Sequence, residues 1–187
     1  RHGRRSIASR WPLRDAAFAQ KLGKTLSAPV TLVHAPVAEQ AAARGKGLED
    51  AGRELRYRAF AGYAKKLACN KVATAHQLDD QAETVLLHLM RGTQLKALAG
   101  IPSRRPLAPG IEVIRPLLPL TKKEVLEYLR QHGLKYRVDK SNRSLQFTRN
   151  WVRRKVLPIM ETQNPKIREH LAGIASQVQS LKLEARL

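Results

Sequence analysis

The sequence predicts an α/β fold, a parallel sheet flanked by helices with a helical C-terminal end. Three observations carry the prediction. Short runs rich in β-branched residues, 29–34, 72–75 and 111–114, alternate with longer stretches of helical period, the signature of strand–helix–strand units. The second run empties directly into His76-Gln77-Leu78-Asp79-Asp80-Gln81-Ala82-Glu83-Thr84, a helix start bearing several carboxylates. From Asn164 onward the pattern is helical alone. Residues 1–163 are therefore expected to form one domain, and 164–187 a closing helix or the beginning of a linker.

The elements follow in order. A helix is predicted over 12–26, with Pro12 in its first turn and Ala16, Ala17, Leu22 and Leu26 on one face. Residues 29–34 read as a strand. Gly45 and Gly47 interrupt the next segment, and 48–67 follows as a long helix with Leu55, Phe60, Tyr63 and Leu67 near helical spacing. Residues 72–75 read as a short buried strand, and 79–90 as a helix that stops at Arg91-Gly92. Three prolines between 101 and 110 predict a loop, and 111–114 is a strand. Thr121-Lys122-Lys123-Glu124 is a capping box opening a helix whose apolar side is Val125, Leu126 and Leu129 and which Gly133 ends. Residues 139–147 form a polar loop, and 148–160 and 165–187 are helices.

Composition narrows the partners. Thirty-five Lys and Arg stand against 15 acids, a net charge of +20 over 187 residues, and an excess of that size points to a polyanion, nucleic acid first. Cys69 is the single cysteine, so this chain forms no internal disulfide and builds no Cys-based zinc or iron–sulfur site by itself. Its neighbours Leu67, Ala68 and Val72 predict burial. No apolar stretch spans a bilayer and no signal peptide precedes the first element, so a cytoplasmic location is expected. The chain opens on Arg1-His2-Gly3-Arg4-Arg5 and has no methionine before Met90, so an N-terminal piece is expected to precede it.

Several residues could carry chemistry. Asp80 and Glu83, three apart, share one side of a first helical turn. Helix capping accounts for them, because acids favour that position. A grip on a cation, an ammonium or Mg²⁺, at a strand's C-terminal edge is the alternative; an amine held there could lose its proton to one carboxylate. On the second reading Asp79 is the cap and Asp80 is left for ligand. His76 is either a structural hydrogen-bonder or a base. Arg53 and Arg56 are either a solvated helix face or bidentate phosphate contacts. Arg149, Arg153, Arg154 and Lys155 cluster about Trp151, which either stacks on unpaired bases or anchors its helix in the core. No glycine-rich turn follows a strand, and Gly45-Lys46-Gly47 is too short for a phosphate loop.

An ordered set of these motifs resembles a known family. His2-Gly3, Arg53-Glu54-Leu55-Arg56-Tyr57, Ala73-Thr74-Ala75-His76 with Asp79 to Thr84, Arg91-Gly92, Leu98-Ala99-Gly100-Ile101-Pro102, Arg115-Pro116-Leu117-Leu118, Asp139 with Ser141-Asn142, Arg149-Asn150, Arg153 and Leu157-Pro158 are similar to those of the tRNA(Ile)-lysidine synthases, within the PP-loop ATP pyrophosphatases. The resemblance covers roughly residues 1–165. It implies a PP-loop ATPase (adenine nucleotide alpha hydrolase-like) fold and a ligase that modifies tRNA. ATP, with Mg²⁺, adenylates the wobble cytidine of an isoleucine tRNA at C2, and the ε-amine of L-lysine displaces AMP to give lysidine. By match to the motifs, Asp80 and Glu83 would hold lysine, Arg53 or Arg56 would contact the ATP phosphates, and Arg149 or Arg153 would line the same pocket or hold tRNA.

This chain departs from the pattern in several places. The family's Ser-Gly-Gly-x-Asp-Ser loop, expected ahead of His2-Gly3, is not in the sequence, so the chain by itself is expected not to turn over ATP. Arg1, Thr121-Lys122 and Ser144 stand where an acid or Asn, an arginine and an Asp are usual. Two other functions fit the motifs less fully. One is a non-catalytic tRNA-binding remnant; the other is a tRNA-thiolating PP-loop enzyme, which the single cysteine disfavours.

Overall fold

The computed structural model describes residues 10–92, 94–138 and 147–184, with side chains placed for 14–92, 94–138 and 147–181. The chain divides into two compact units, residues 1–59 and 60–187. The first holds α1 (Arg10–Thr25), α2 (Val37–Arg44) and most of α3 (Leu48–Lys66). Gly45, at φ +59°, closes α2 in the left-handed conformation that only glycine adopts without cost. Beyond it, Glu54 on α3 gathers three cations: Arg44, Lys46 at 2.8 Å and Arg58 at 3.0 Å.

The second unit contains β1 (Lys71–Ala73), α4 (Leu78–Met90), β2 (Arg104–Ala108), β3 (Ile111–Ile114), α5 (Lys122–Gln131), α6 (Thr148–Trp151), a π-helical turn over Val152–Val156, α7 (Leu157–Gln163) and α8 (Ile167–Glu184). A 3-10 turn at Leu95–Ala99 follows α4. The strands form one sheet in the order β1-β3-β2. β1 and β3 are parallel, with Val72 opposite Val113. β2 and β3 are antiparallel and joined by Pro109-Gly110. The α/β class therefore holds, with a mixed sheet in place of a wholly parallel one.

The differences from expectation have physical causes. Residues 101–110 contain a strand despite their prolines, because β2 is an edge of the sheet and Pro106 need not donate to a central ladder. Residues 29–34 form no strand among the described residues; a β-branched run becomes a strand only where a neighbour completes its hydrogen bonds. β1 is exposed at Lys71 and Ala73 and only half-buried at Val72, since it lies at the other edge; β3, between the two, carries the fully buried Val113. Cys69 is exposed. Ala68, at φ +52°, turns the chain away at the end of α3, where Leu67 is exposed as well. Positions 139–146, including Asp139, Ser141 and Asn142, and His2-Gly3 lie outside the described residues.

The core of this unit is helical. Ala82, Val85, Leu86 and Leu87 of α4 meet Val152 and Leu157, then Leu171 and Ala175 of α8. Val152 and Leu157 are both fully buried, yet five residues place side chains about 140° apart around an ordinary α-helix. The π turn between them removes that mismatch; the Leu157 N–H donates to the Val152 carbonyl five residues back. Pro158 supplies the cause, because a proline inside a helix lacks an N–H and crowds the carbonyl four residues earlier.

Gly100 explains the Leu98-Ala99-Gly100-Ile101-Pro102 motif. Its φ of +58° with ψ −133° is a glycine conformation, and a Cβ there would sit 2.6 Å from Gln81 Oε1. The buried Gln81 side chain clasps this loop, accepting from the Ile101 N–H at 2.6 Å and donating to the Ile101 carbonyl at 3.2 Å. Gln179 of α8 donates to the Ala99 carbonyl from the other side at 2.5 Å.

Two expected outcomes follow from these contacts. Gly100→Ala destabilises the chain by about 1–3 kcal/mol, read as a lowered urea midpoint. An unchanged midpoint would refute the clasp. The Thr121 hydroxyl and then its backbone N–H hold the Glu124 carboxyl below its ordinary range. A carboxyl lowered in the folded state stabilises above its unfolded pKa and loses that contribution as pH falls through the folded value. Thr121→Ala therefore lowers the midpoint at neutral pH, and the gap from the native chain narrows on acidification.

Candidate active site

Parallel β1 and β3 end side by side, and each feeds a helix whose N-terminus returns to the same edge. The Thr74 N–H extends the ladder to the Ile114 carbonyl at 3.0 Å. Beyond β3, buried Arg115 donates to the Pro102 carbonyl at 2.5 Å, and the chain turns through Pro116-Leu117-Leu118 to Thr121, the cap of α5. The Leu78 N–H donates to the Leu120 carbonyl at 2.9 Å, and Asp79 Oδ2 accepts from the Lys122 N–H at 2.7 Å. The starts of α4 and α5 are thus tied together at the carboxyl ends of the strands, the position where open α/β sheets bind ligands.

Four predicted residues meet there. Glu83 is 0% exposed. Arg149 Nε donates to its Oε2 at 2.9 Å, Arg153 Nε to its Oε1 at 2.5 Å and Arg153 Nη2 to Oε2 at 2.9 Å. Asp80, one turn earlier, accepts the Gln77 N–H on Oδ2 at 3.0 Å, so it is the acid of the α4 capping box. Its Oδ1 lies 3.4 Å from Nη2 of both arginines. Burial opposes the charge on Arg153, but the Glu83 hydrogen bonds and the charges of Glu83, Asp80 and Asp79 outweigh it and raise the guanidinium pKa. The two carboxylates therefore differ: Glu83 is enclosed by charge-assisted bonds, whereas Asp80 keeps one loosely held oxygen at the rim.

Asp79 bonds the first N–H of α5 rather than capping its own helix, and its Oδ1 also pairs with Arg168 Nη1 of α8 at 3.0 Å. Arg168 in turn holds Glu161 through Nε at 2.5 Å and Nη2 at 3.2 Å. Burial disfavours the Arg168 charge, yet Glu161 and Asp79 raise its pKa. A cavity of about 510 Å³ opens beside this network, lined in part by Thr121, Lys123, Glu161 and Arg168.

The remaining predicted residues have other surroundings. The His76 ring Nδ1 is 2.9 Å from Thr74 Oγ1, on the loop between β1 and α4. Arg53 and Arg56 belong to the first unit and are exposed on α3; the Arg53 guanidinium lies over the Tyr57 ring, 5.1 Å from its centroid. Sequence reasoning missed Arg168, Glu161 and Gln179. Gln81 had a signal, lying between Asp80 and Glu83 in the motif. Arg168 had none, because nothing local marks a lone arginine in a helix as the partner of an acid 89 positions away. No group of three or more His, Cys, Asp or Glu side chains placed to bind a metal occurs among the described residues. None of their helices is long and apolar enough to cross a membrane.

Comparison with known proteins places this geometry. Residues 1–160 match the PP-loop domain, and the chain belongs to that family. A protein named tRNA(Ile)-lysidine synthase from Porphyromonas gingivalis is 38% identical over 169 residues, 87% of this chain and 36% of its own length. One from Symbiobacterium thermophilum is 43% identical over 159 residues, 85% and 32% respectively. The chain thus spans about a third of the length of the curated relatives it matches. Among solved structures, the U34-tRNA thiolase NcsA of Methanococcus maripaludis with its [4Fe-4S] cluster superimposes with a TM-score of 0.68, covering 92% of this chain and 59% of that one at 20% identity. That likeness establishes the fold.

The enclosure of Glu83 has a measurable consequence. Glu83→Ala leaves two guanidinium groups facing each other without their shared anion. The expected loss is about 3 kcal/mol in urea unfolding. Arg149→Ala or Arg153→Ala should cost less, since the other arginine still bonds the carboxylate. Equal costs for all three would show that the cluster does not act through Glu83.

Proposed function

We propose that this PP-loop chain is the nucleotide-using part of a tRNA(Ile)-lysidine synthase, ligating L-lysine to the wobble cytidine of an isoleucine tRNA at the expense of ATP. The observation that carries the reading is the Asp80–Glu83 pair at the carboxyl edge of β1 and β3, bracketed by Arg149 and Arg153, in a chain whose curated relatives bear that name. The net charge of +20 suits a tRNA.

The chemistry divides into two displacements. The cytidine O2 attacks the α-phosphorus of ATP and pyrophosphate leaves. The ε-amine of lysine then attacks C2, AMP departs with the original oxygen, and the amine proton passes to a base. Asp80, with one oxygen at the rim, is the residue placed to hold the amine and accept that proton. Glu83, wholly enclosed, acts through Arg149 and Arg153, keeping both guanidinium groups at the pocket and beside Asp80. Arginine forks suit the phosphate and AMP oxygens. Arg53 and Arg56 are assigned to the ATP phosphates on the strength of the family motif. His76 is kept as a binding residue of the strand–helix loop. Mg²⁺ is assigned to the nucleotide phosphates, the usual way that ion is held. Asp80 suits it less well, with Oδ2 on the Gln77 N–H and Oδ1 facing two guanidinium groups.

A thiolase reading would rest on the solved neighbour's fold, and fold does not carry chemistry. Cys69, the single cysteine and an exposed one, does not supply a cluster's thiolates by itself. A tRNA-binding remnant shares the charge but uses the rim carboxylate for helix capping alone.

The test uses protein expressed from the complete reading frame, with ATP, labelled lysine and isoleucine tRNA. Asp80→Asn keeps a helix-capping side chain and is expected to slow lysine transfer on the order of 100-fold, while pyrophosphate release from ATP falls much less. Equal loss in both steps would reject the role given to Asp80. Absence of lysine incorporation by the native protein would reject the function.

A further inference from the structure

The helix that carries Arg149 and Arg153 into the site has a second face. Trp151 lies about 200° around α6 from Arg149 and is 41% exposed. Phe147, one turn earlier and joined to it by the Trp151 N–H to Phe147 carbonyl bond at 3.1 Å, is 47% exposed. The inward side is already filled by Val152 and Leu157, both wholly buried, so the core does not use the indole as its anchor. Arg154 and Lys155, both exposed, follow Trp151 directly, and no acid occurs between residues 147 and 160. Two neighbouring aromatic side chains beside two cations on an acid-free helix face match what binds unpaired nucleobases: flat apolar surface for the base, positive charge for its phosphate.

We propose that Trp151 and Phe147, with Arg154 and Lys155, form a stacking shelf for unpaired bases of an RNA loop, one helix width from the Asp80–Glu83 site. The assignment rests on the tRNA reading above and adds to it the surface that holds the loop open while one base enters the site. Base–aromatic contact tolerates any base, so the shelf contributes affinity and placement, and base choice belongs to the pocket.

The experiment uses the complete protein, an RNA hairpin with an unpaired loop, and a blunt duplex of the same stem. Trp151→Ala is expected to weaken hairpin binding about 5- to 150-fold, Trp151→Phe to retain most of it, and neither to alter duplex binding. Lys155→Ala should weaken both RNAs and lower the salt dependence by about one unit of slope. The hairpin should quench tryptophan fluorescence and the duplex should not, and Trp151→Phe should remove the part of that quench due to Trp151, a readout that holds even if Trp151→Ala folds poorly. Native-like hairpin binding by Trp151→Ala, or fluorescence indifferent to the hairpin, overturns the shelf alone. Native protein that binds neither RNA overturns the shelf and the tRNA function together.

Discussion

A carboxylate with no access to solvent has to be paired, and Glu83 shapes the second unit through that requirement. Its two oxygens need donors that nothing near it in sequence supplies. The donors come from Arg149 and Arg153, 66 and 70 residues on, which draws α6 and the π turn against α4 and brings Val152 and Leu157 into the core with them. A buried ion pair adds less stability than an apolar contact of the same size but tolerates few alternative arrangements. Here it specifies which helix lies against α4 and in what rotation. Asp79 repeats the principle at the rim, reaching Lys122 of α5 and Arg168 of α8, so the first turn of α4 is the junction of the surrounding helices.

Features with local causes were legible in the sequence. The capping box at Thr121, the helix stop at Gly133, the start of α4 and the carboxylate pair all follow from neighbours within one turn. The features that escaped it depend on distant partners. Pro106 stands in a strand because β2 is an edge, and residues 29–34 stay out of one for want of a paired neighbour among the described residues. Cys69 is exposed because Ala68 turns the chain outward, although its neighbours are apolar. Spacing alone makes Asp80 and Glu83 equivalent, since it places both on one side of the helix. Only the third dimension separates the enclosed acid from the one at the rim.

Capping does not exclude the ligand role proposed for Asp80. One oxygen completes the N-terminus of α4 and the other faces the arginines. The cap immobilises the carboxylate, and an immobilised acid would lose little further freedom on receiving the proposed amine.

The two faces of the α6 helix are coupled by the same π turn. Without it, Val152 and Leu157 could not both point inward, and the helix would have to rotate to bury one at the cost of the other. Either rotation would carry Arg149 and Arg153 off Glu83 and change the exposure of Trp151. The wide turn forced by Pro158 thus sets, in one backbone feature, the arginines toward the carboxylates and the indole toward solvent. A base stacked on Trp151 would press on a helix that is keyed to Glu83 by three short bonds. Because packed interiors shift between discrete arrangements more readily than they deform, such a load would be borne by the arginine pair as a unit. RNA held on the outer face would therefore meet an inner face whose geometry it does not disturb.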